Sequence, residues 1–449
     1  MGLTFQVKKP LYYTRSTPPS QASICAGISI KSAQVSRTDL SGSRRDAQPA
    51  PRDCPPEQKT IQLKPMIEPE KNKLLLACIR GRWDRTGMDE AGRIVDENDV
   101  NWHNFFDQAG RQSVAPLIYH TLRDDHTILP TWVNRQLRTA YYRSATSSAL
   151  LHHELTRIVR VFNEAEVPII LLKGAALAEG IYGNIALRPM GDIDLLVRTE
   201  QMSVAAQLLV QGGYSVGDRA HPNLRHATFR AESSGWTTHI EVHPHIVSSA
   251  YYRRGIPEEW LWQDPVELAI SEVSALGLSP EAAIVHSCLH TLDHVATKGN
   301  LLWLCDIVEV SRRYDVDWEA LVDRVAQYRI LLPFRSVLLA CVEFLDLRLP
   351  DRVRQRLLAF RPGFLERKVY QLCLSPARST AGKTLVDFLS VEGVSSKTQL
   401  MLSRLFPSRE YMVARYSISN PKLVPLYYPH MITQAIFNAF RAFSQSRQA

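Results

Sequence analysis

Asp192 and Asp194 stand one residue apart in the run from Arg188 to Val197, where a short polar stretch leads into an apolar strand. Strand side chains alternate between faces, so both carboxylates share one face while Ile193 and Leu195 turn toward the core. Like charges held that close repel unless a cation neutralises them, and Mg²⁺ is the usual occupant of an oxygen-only site facing phosphates. The pair points to phosphoryl or nucleotidyl transfer. A third carboxylate is offered by the segment Thr238 to His243, in which His239, Glu241 and His243 fall on one face and Ile240 and Val242 on the other. If this strand lies beside that of the aspartates, Glu241 joins Asp192 and Asp194. The trio can then hold two metal ions about 3.5–4 Å apart, clamping the attacking and leaving oxygens.

Such chemistry also needs a cradle for the triphosphate. At Leu171-Leu172-Lys173-Gly174-Ala175 a buried strand breaks at glycine and a helix begins. Glycine lets phosphate approach the backbone, and a helix N-terminus offers unpaired N–H groups and a favourable dipole. Lys173 and Arg188 supply positive charge for the phosphates. Every one of these residues also has a plainer reading. The aspartates are then capping acids at a solvated strand entrance, Glu241 pairs with its flanking histidines on the surface, and Lys173 snorkels from a strand end. Arg188 then pairs with Asp192 or Asp194. Zinc on His239 and His243 is a weaker alternative, since no cysteine or closed ligand set accompanies them. His286, His290 and His294 recur every four residues on one helical face, with Asp293 adjacent and Lys298 and Asp306 nearby. They either line the cleft opposite the sheet and touch base or acceptor, or form a polar seam between helices.

The elements that position these residues follow from periodicity. Leu74, Leu75, Cys78 and Ile79, then Trp102, Phe105, Phe106 and Ala109, then Leu117, Ile118 and Leu122, then Trp132, Val133, Leu137 and Ala140 mark amphipathic helices up to about Glu166. Val167 to Leu172 is a short apolar run with β-branched residues and reads as a buried strand. Ala175 to Tyr182 returns to helix, and Ile193 to Val197 is a second strand. Met202 to Gly212 is a helix stopped by Gly212-Gly213. His226 to Ala231 and Thr237 to His243 form a hairpin around Ser233-Ser234-Gly235. Beyond Pro265 the pattern is helical again: Ala282–Val295, Leu301–Tyr314, Trp318–Tyr328, Ser336–Leu345 and Arg352–Phe360 can form a bundle, with Trp260 and Trp262 as packing residues. The expected fold class is α+β, a small mixed-sheet core flanked by N- and C-terminal helical bundles. The expected division is a disordered tail over 1–68, a helical region over 69–165, the α/β core over 166–265 and a second helical region over 266–449.

Composition narrows the setting. The chain has 449 residues, long enough for about three domains. Its formal charge is +8, but residues 1–68 hold ten Lys/Arg against five Asp/Glu, a balance of +5 that leaves +3 for the rest. That surplus is too small for a phosphate-tracking surface, so nucleic acid is not the favoured partner. The same tail carries eight prolines, eight serines and no acid before Asp39, with no regular period, so it is expected to be disordered. It has the acid-poor look of a transit sequence without a convincing amphipathic helix. Cys25, Cys54, Cys78, Cys288, Cys305, Cys341 and Cys373 are scattered and odd in number, which argues against a disulfide framework and for a reducing cytoplasm. No apolar run is long enough to span a membrane. The aromatic C-terminal segment with Arg404, Arg409, Arg415, Lys422, Tyr427 and Tyr428 reads as a solvated helix or one resting on a membrane surface.

Lys173-Gly174, then Arg188-Pro189 ahead of Asp192 and Asp194, then His239 to Ile246, together resemble the bacterial uncharacterised nucleotidyltransferase family of the DNA polymerase β-like superfamily. The resemblance spans roughly residues 75–415, since Leu301–Ile307 and Asp317–Val322 also fit. It implies a transferase that moves an NMP group from an NTP such as ATP to an acceptor and releases pyrophosphate. It also implies two Mg²⁺ ions, with Asp192, Asp194 and Glu241 as catalytic and metal residues and Gly174 as the glycine before the first helix. Exopolysaccharide or modified-peptide biosynthesis is the implied setting, with a small molecule, saccharide or peptide as acceptor. One departure is that the superfamily usually carries Gly-Gly or Gly-Ser where this chain has Lys173-Gly174-Ala175, so a hydroxyl is missing and Lys173 is the candidate to replace it. Two other readings stand beside this one: a toxin-like enzyme that adds nucleotides to RNA, and a non-catalytic scaffold that keeps the fold.

Overall fold

A computed structural model describes residues 72–434, apart from 98, 125–127, 218–226, 234–235, 299–300, 375–385, 387, 389–392, 408 and 417–419. The proposed tail over 1–68, His226, Ser234, Gly235 and the end of the aromatic C-terminal segment lie outside the described residues.

The helical period of the first region yields α1 (Lys73–Arg80), α2 (Arg85–Glu97), α3 (Trp102–Arg111), α4 (Ala115–Leu122) and α5 (Thr131–Glu164). The Asn101 side chain caps α3 by accepting from the Asn104 N–H, and Pro116 opens α4, where its missing donor costs nothing. The helical stretch that follows Pro130 and runs toward Val167 is one helix of 34 residues. It ends as the left-handed Glu166 turns the chain into the sheet.

The central elements are β1 (Ile169–Leu171), α6 (Lys173–Gly180), β2 (Ile193–Val197), α7 (Met202–Gln211), β3 (Ser215–Val216), β4 (Ala227–Ser233) and β5 (Trp236–His243). Short helices α8 (Ala250–Arg253) and α9 (Glu258–Leu261) lead to β6 (Val266–Ile270) and β7 (Val273–Gly277). All seven strands form one mixed sheet in the order β3-β4-β5-β2-β1-β7-β6. β1 and β2 run antiparallel, while β2 runs parallel to β5 and β1 parallel to β7. Every residue of β1 and β2 is buried, as expected for central strands covered on both faces; β1 is wholly apolar, and in β2 Asp194 alone interrupts the apolar run.

Two sequence expectations need correction. The sheet does not end at Pro265, because β6 and β7 form an antiparallel hairpin that joins β1. That hairpin turns at Ser271-Glu272, with Ser271 in the left-handed region, so the usual Asn-Gly or Asp-Gly signal is absent. The first core helix starts at Lys173, two residues before the expected Ala175. One apolar cluster runs from Leu74 through the sheet to Cys373 and Val386.

The second helical region comprises α10 (Pro280–Lys298), α11 (Leu301–Arg313), α12 (Trp318–Gln327), α13 (Leu331–Leu345), α14 (Asp351–Ala359) and α15 (Phe364–Leu374). Helices α16 (Val394–Leu405) and α17 (Arg409–Tyr416) follow, and Met412 and Val424 centre a small separate apolar cluster. The described cysteines Cys78, Cys288, Cys305, Cys341 and Cys373 are all buried, and none of them forms a disulfide. Among the described residues, no helix is long and apolar enough to cross a membrane.

Candidate active site

The parallel pairing of β2 with β5 sets the site. Its register places Asp194 opposite Glu241, with Ile193 opposite Ile240 and Leu195 opposite Val242. Two acids distant in sequence therefore meet on one face of neighbouring strands, while the apolar residues between them are buried. Asp192 lies just ahead of β2, in the bend that brings the chain into the strand.

Two internal cations stand among these acids. Lys173 Nζ donates to Asp194 Oδ1 at 2.6 Å, and His243 Nε2 lies 2.9 Å from the same oxygen and 3.4 Å from Glu241 Oε2. Asp194 is only 2 % exposed, whereas the Glu241 side chain is 26 % exposed, so the group opens to solvent on the Glu241 side. Lys173 has φ +51, a left-handed conformation that costs a non-glycine residue about 1 kcal/mol or more. That strain aims the lysine back across the start of α6 onto the buried aspartate.

The charges explain the protonation equilibria. Burial works to raise the Asp194 carboxyl, but Lys173 and His243 outweigh it and hold the group well below the usual carboxylate range. Burial works against charge on Lys173 and His243 too, and the acids reverse this, raising both. Glu241 is lowered, chiefly by its hydrogen bond with His243. Asp192 goes the other way, pushed up to about 6 by burial and by the neighbouring Asp194. Three acids face two bases, and the uncompensated negative charge falls on Asp192.

Gly174 is needed for packing. A Cβ there would lie 2.4 Å from Met190 Cγ and 2.8 Å from Met190 Sδ, so the Met190 side chain occupies the space that a larger residue would fill. This seats the Arg188–Asp192 turn against the start of α6. The expected approach of phosphate over Gly174 therefore shares its space with Met190.

Arg188 does not pair with Asp192 or Asp194, and its fork is not turned to a phosphate site. It is buried against Asp306 of α11, with Nε 2.8 Å from Oδ1 and Nη2 2.8 Å from Oδ2, while Nη1 donates to the Pro189 carbonyl. The Tyr182 hydroxyl donates to the same Asp306 at 2.8 Å. Burial alone would lower the guanidinium, but Asp306 raises it. Arg82 lies over the Tyr182 ring and pairs with Glu309, which also accepts from Trp83 Nε1, so this strut ties the first helices, the Asp192 turn and α11 together. No local spacing pointed to Asp306, because the contact joins residues remote in sequence.

The sequence places His243 as a neighbour of Glu241, and the structure adds a second contact, to Asp194. Alternation put it beside Glu241, yet its contact with Asp194 depends on strand order. Asp194, Glu241 and His243 each offer one ligand atom, all within 4.8 Å of one another. Two carboxylates and an imidazole suit a divalent cation, with the imidazole widening the choice from Mg²⁺ toward Mn²⁺ and Zn²⁺. His239, on the same face, is exposed and lies outside this cluster. His245 is structural, with Nε2 3.2 Å from the Ile256 carbonyl.

Beside Lys173 an apolar cleft, partly open to solvent, runs between α6, the β6–β7 hairpin and α10, with Lys173, His286 and Ser287 among its few polar walls.

A mixed sheet that brings acidic residues from neighbouring parallel strands to a lysine at a helix start defines a site suited to handling phosphates. The sequence model of the family described as uncharacterised nucleotidyltransferase matches residues 98–346, more than half of the chain, and the protein belongs to that family. It is a nucleotidyltransferase. The crystal structure of an antigenic nucleotidyltransferase-like protein from Paracoccidioides brasiliensis is similar at 14 % identity, covering 43 % of this chain and 92 % of that one, with a TM-score of 0.31. No curated protein matches the chain.

Proposed function

We propose that the protein transfers an NMP group from a nucleoside triphosphate to an acceptor hydroxyl or phosphate, with Asp194, Glu241 and His243, joined by Asp192, holding divalent cations. The observation that carries this reading is the register of β2 against β5, which sets Asp194 opposite Glu241 beside the helix start at Lys173. When bound, a divalent cation supplies neutralising charge for the phosphates and for the developing leaving group. Glu241, the more exposed acid, accepts the proton of the attacking oxygen. Asp194 is held ionised over the whole neutral range by Lys173 and His243, so its charge is available without a proton being lost first. Lys173 and the N–H groups opening α6 face the region where phosphate charge accumulates. The buried pair of Arg188 with Asp306 holds the Asp192 turn in place.

The test is to incubate the full chain with each labelled NTP, Mg²⁺ or Mn²⁺ and a cell extract, and to locate the label. Metal-dependent labelling of a saccharide, peptide or small molecule, lost in Asp194→Asn by at least about a hundredfold, is the expected result. Wild-type turnover in that variant would refute the role of Asp194. Calorimetric titration showing no metal-dependent NTP binding would mark a non-catalytic scaffold.

A further inference from the structure

The histidines of α10 form an aromatic array with a residue of α11. His290 and His294 have ring centroids 4.6 Å apart, and Trp303 lies 4.5 Å from His290 and 5.4 Å from His294. His286 continues the row one turn earlier, 6.0 Å from His290. His286 is buried and lines the cleft that Lys173 also lines, whereas His290, His294 and Trp303 are half-buried. The row therefore starts at a wall of the cleft shared with the lysine that holds Asp194.

Its chemistry is unusual for a helix seam. Burial and the neighbouring Lys173 push His286 down to about 3 and His290 well below its ordinary value, so these rings are neutral at physiological pH. A neutral surface offers nothing to a triphosphate, whose charge is better met at Lys173 and the acids. Flat rings with adjustable donor and acceptor nitrogens do suit a flat, uncharged heterocycle. Leucines at the same positions would pack as well and avoid burying polar nitrogens.

We infer that His290, His294 and Trp303 form a stacking platform for the nucleobase of the donor triphosphate. This rests on the proposed function, because it takes the phosphates to lie at Lys173 and the acids. Stacking of one base on aromatic side chains corresponds to roughly a five- to hundredfold change in affinity.

The test is calorimetric titration of the full chain, with Mg²⁺ present at fixed ionic strength, using the four NTPs and inorganic tripolyphosphate as ligands. The wild type should bind at least one NTP more tightly than tripolyphosphate. The pair His290→Ala and His294→Ala should lose five- to hundredfold in NTP affinity with tripolyphosphate affinity unchanged, and His290→Phe with His294→Phe should stay within about threefold of wild type. If the alanine pair does not fold, the half-exposed His294→Ala variant alone carries the same comparison. Equal wild-type affinities for NTP and tripolyphosphate, unchanged NTP affinity in the alanine variants, or parallel loss of both ligands would overturn the platform. Failure of the platform alone leaves tripolyphosphate binding intact, whereas a wild type that binds neither ligand removes the proposed function with it.

Discussion

Replacing Asp306 by alanine separates a structural strut from a phosphate ligand. The Arg188 and Asp306 side chains are 7 % and 3 % exposed, and the carboxylate also accepts from Tyr182. Removing one partner of a buried pair leaves the other charge without compensation and costs about 3–5 kcal/mol. The orphaned Tyr182 hydroxyl adds about 1 kcal/mol more. The intact pair contributes far less than this relative to apolar residues of similar volume, because its own desolvation offsets most of the attraction. Arg188→Met with Asp306→Leu should therefore recover most of the stability lost by Asp306→Ala, and Asp306→Asn should fall between. The assay is urea denaturation followed by tryptophan fluorescence and far-UV circular dichroism, with coincident transitions required before free energies are extracted. An Asp306→Ala variant within about 1 kcal/mol of wild type would refute the account, as would a double apolar variant no more stable than the single one.

Two further outcomes follow from the charges around Asp194. Asp192 and His243 both have raised values in the folded protein, so the stability each contributes is fully present below its unfolded value. It is lost as pH rises through about 6 for Asp192 and through a value above 6.5 for His243. Asp194 and Glu241 are lowered, so their contribution is present above the ordinary carboxylate range and is lost only in acid. In chelator, the wild type should therefore lose stability between about pH 4 and 8 relative to Asp192→Asn with His243→Gln, the Asp192 part falling between about 4 and 6 and the His243 part above 6.5; the two-unit shift of Asp192 corresponds to about 3 kcal/mol, reduced to about 1–2 by its partial exposure. Parallel profiles for the two proteins in urea denaturation would count against this assignment. Lys173→Met removes the closest cation from a buried carboxylate. That variant should unfold at lower temperature in chelator and gain more than wild type from added Mg²⁺ or Mn²⁺; an equal gain in thermal unfolding would show that Lys173 and metal do not compete for Asp194.

What the sequence revealed depended on whether a feature was local. Asp194 and Glu241 were legible because period-two alternation fixes which face a strand residue occupies, and one assumption about strand adjacency, met by the parallel register, brings them together. Lys173 and Gly174 were legible as a strand-to-helix break, but their duties were not: the left-handed backbone of Lys173 and the Met190 side chain over Gly174 are tertiary facts. The partner of Arg188 was not legible for the same reason, since Asp306 lies on a helix remote in sequence. The strands from Val266 to Gly277 were missed because Glu, Leu and Ala are ordinary helix residues and Ser271 takes the left-handed turn position without glycine.

The arrangement also explains why a lysine can occupy a position whose backbone favours glycine. Asp194 is almost fully buried, and a buried carboxylate without a partner would be expected to take up a proton and lose its use. Lysine at the left-handed position accepts backbone strain of about 1 kcal/mol or more, and in return its ammonium keeps Asp194 charged at neutral pH. His243 extends that compensation to Glu241, which leaves Asp192 as the one acid whose charge nothing inside the protein fully balances. Asp192 is also the acid on the turn that Met190 and the Arg188–Asp306 strut hold in place. The least compensated charge thus sits on a well-braced loop beside a lysine, and in the proposed function it is the charge that a divalent cation would balance.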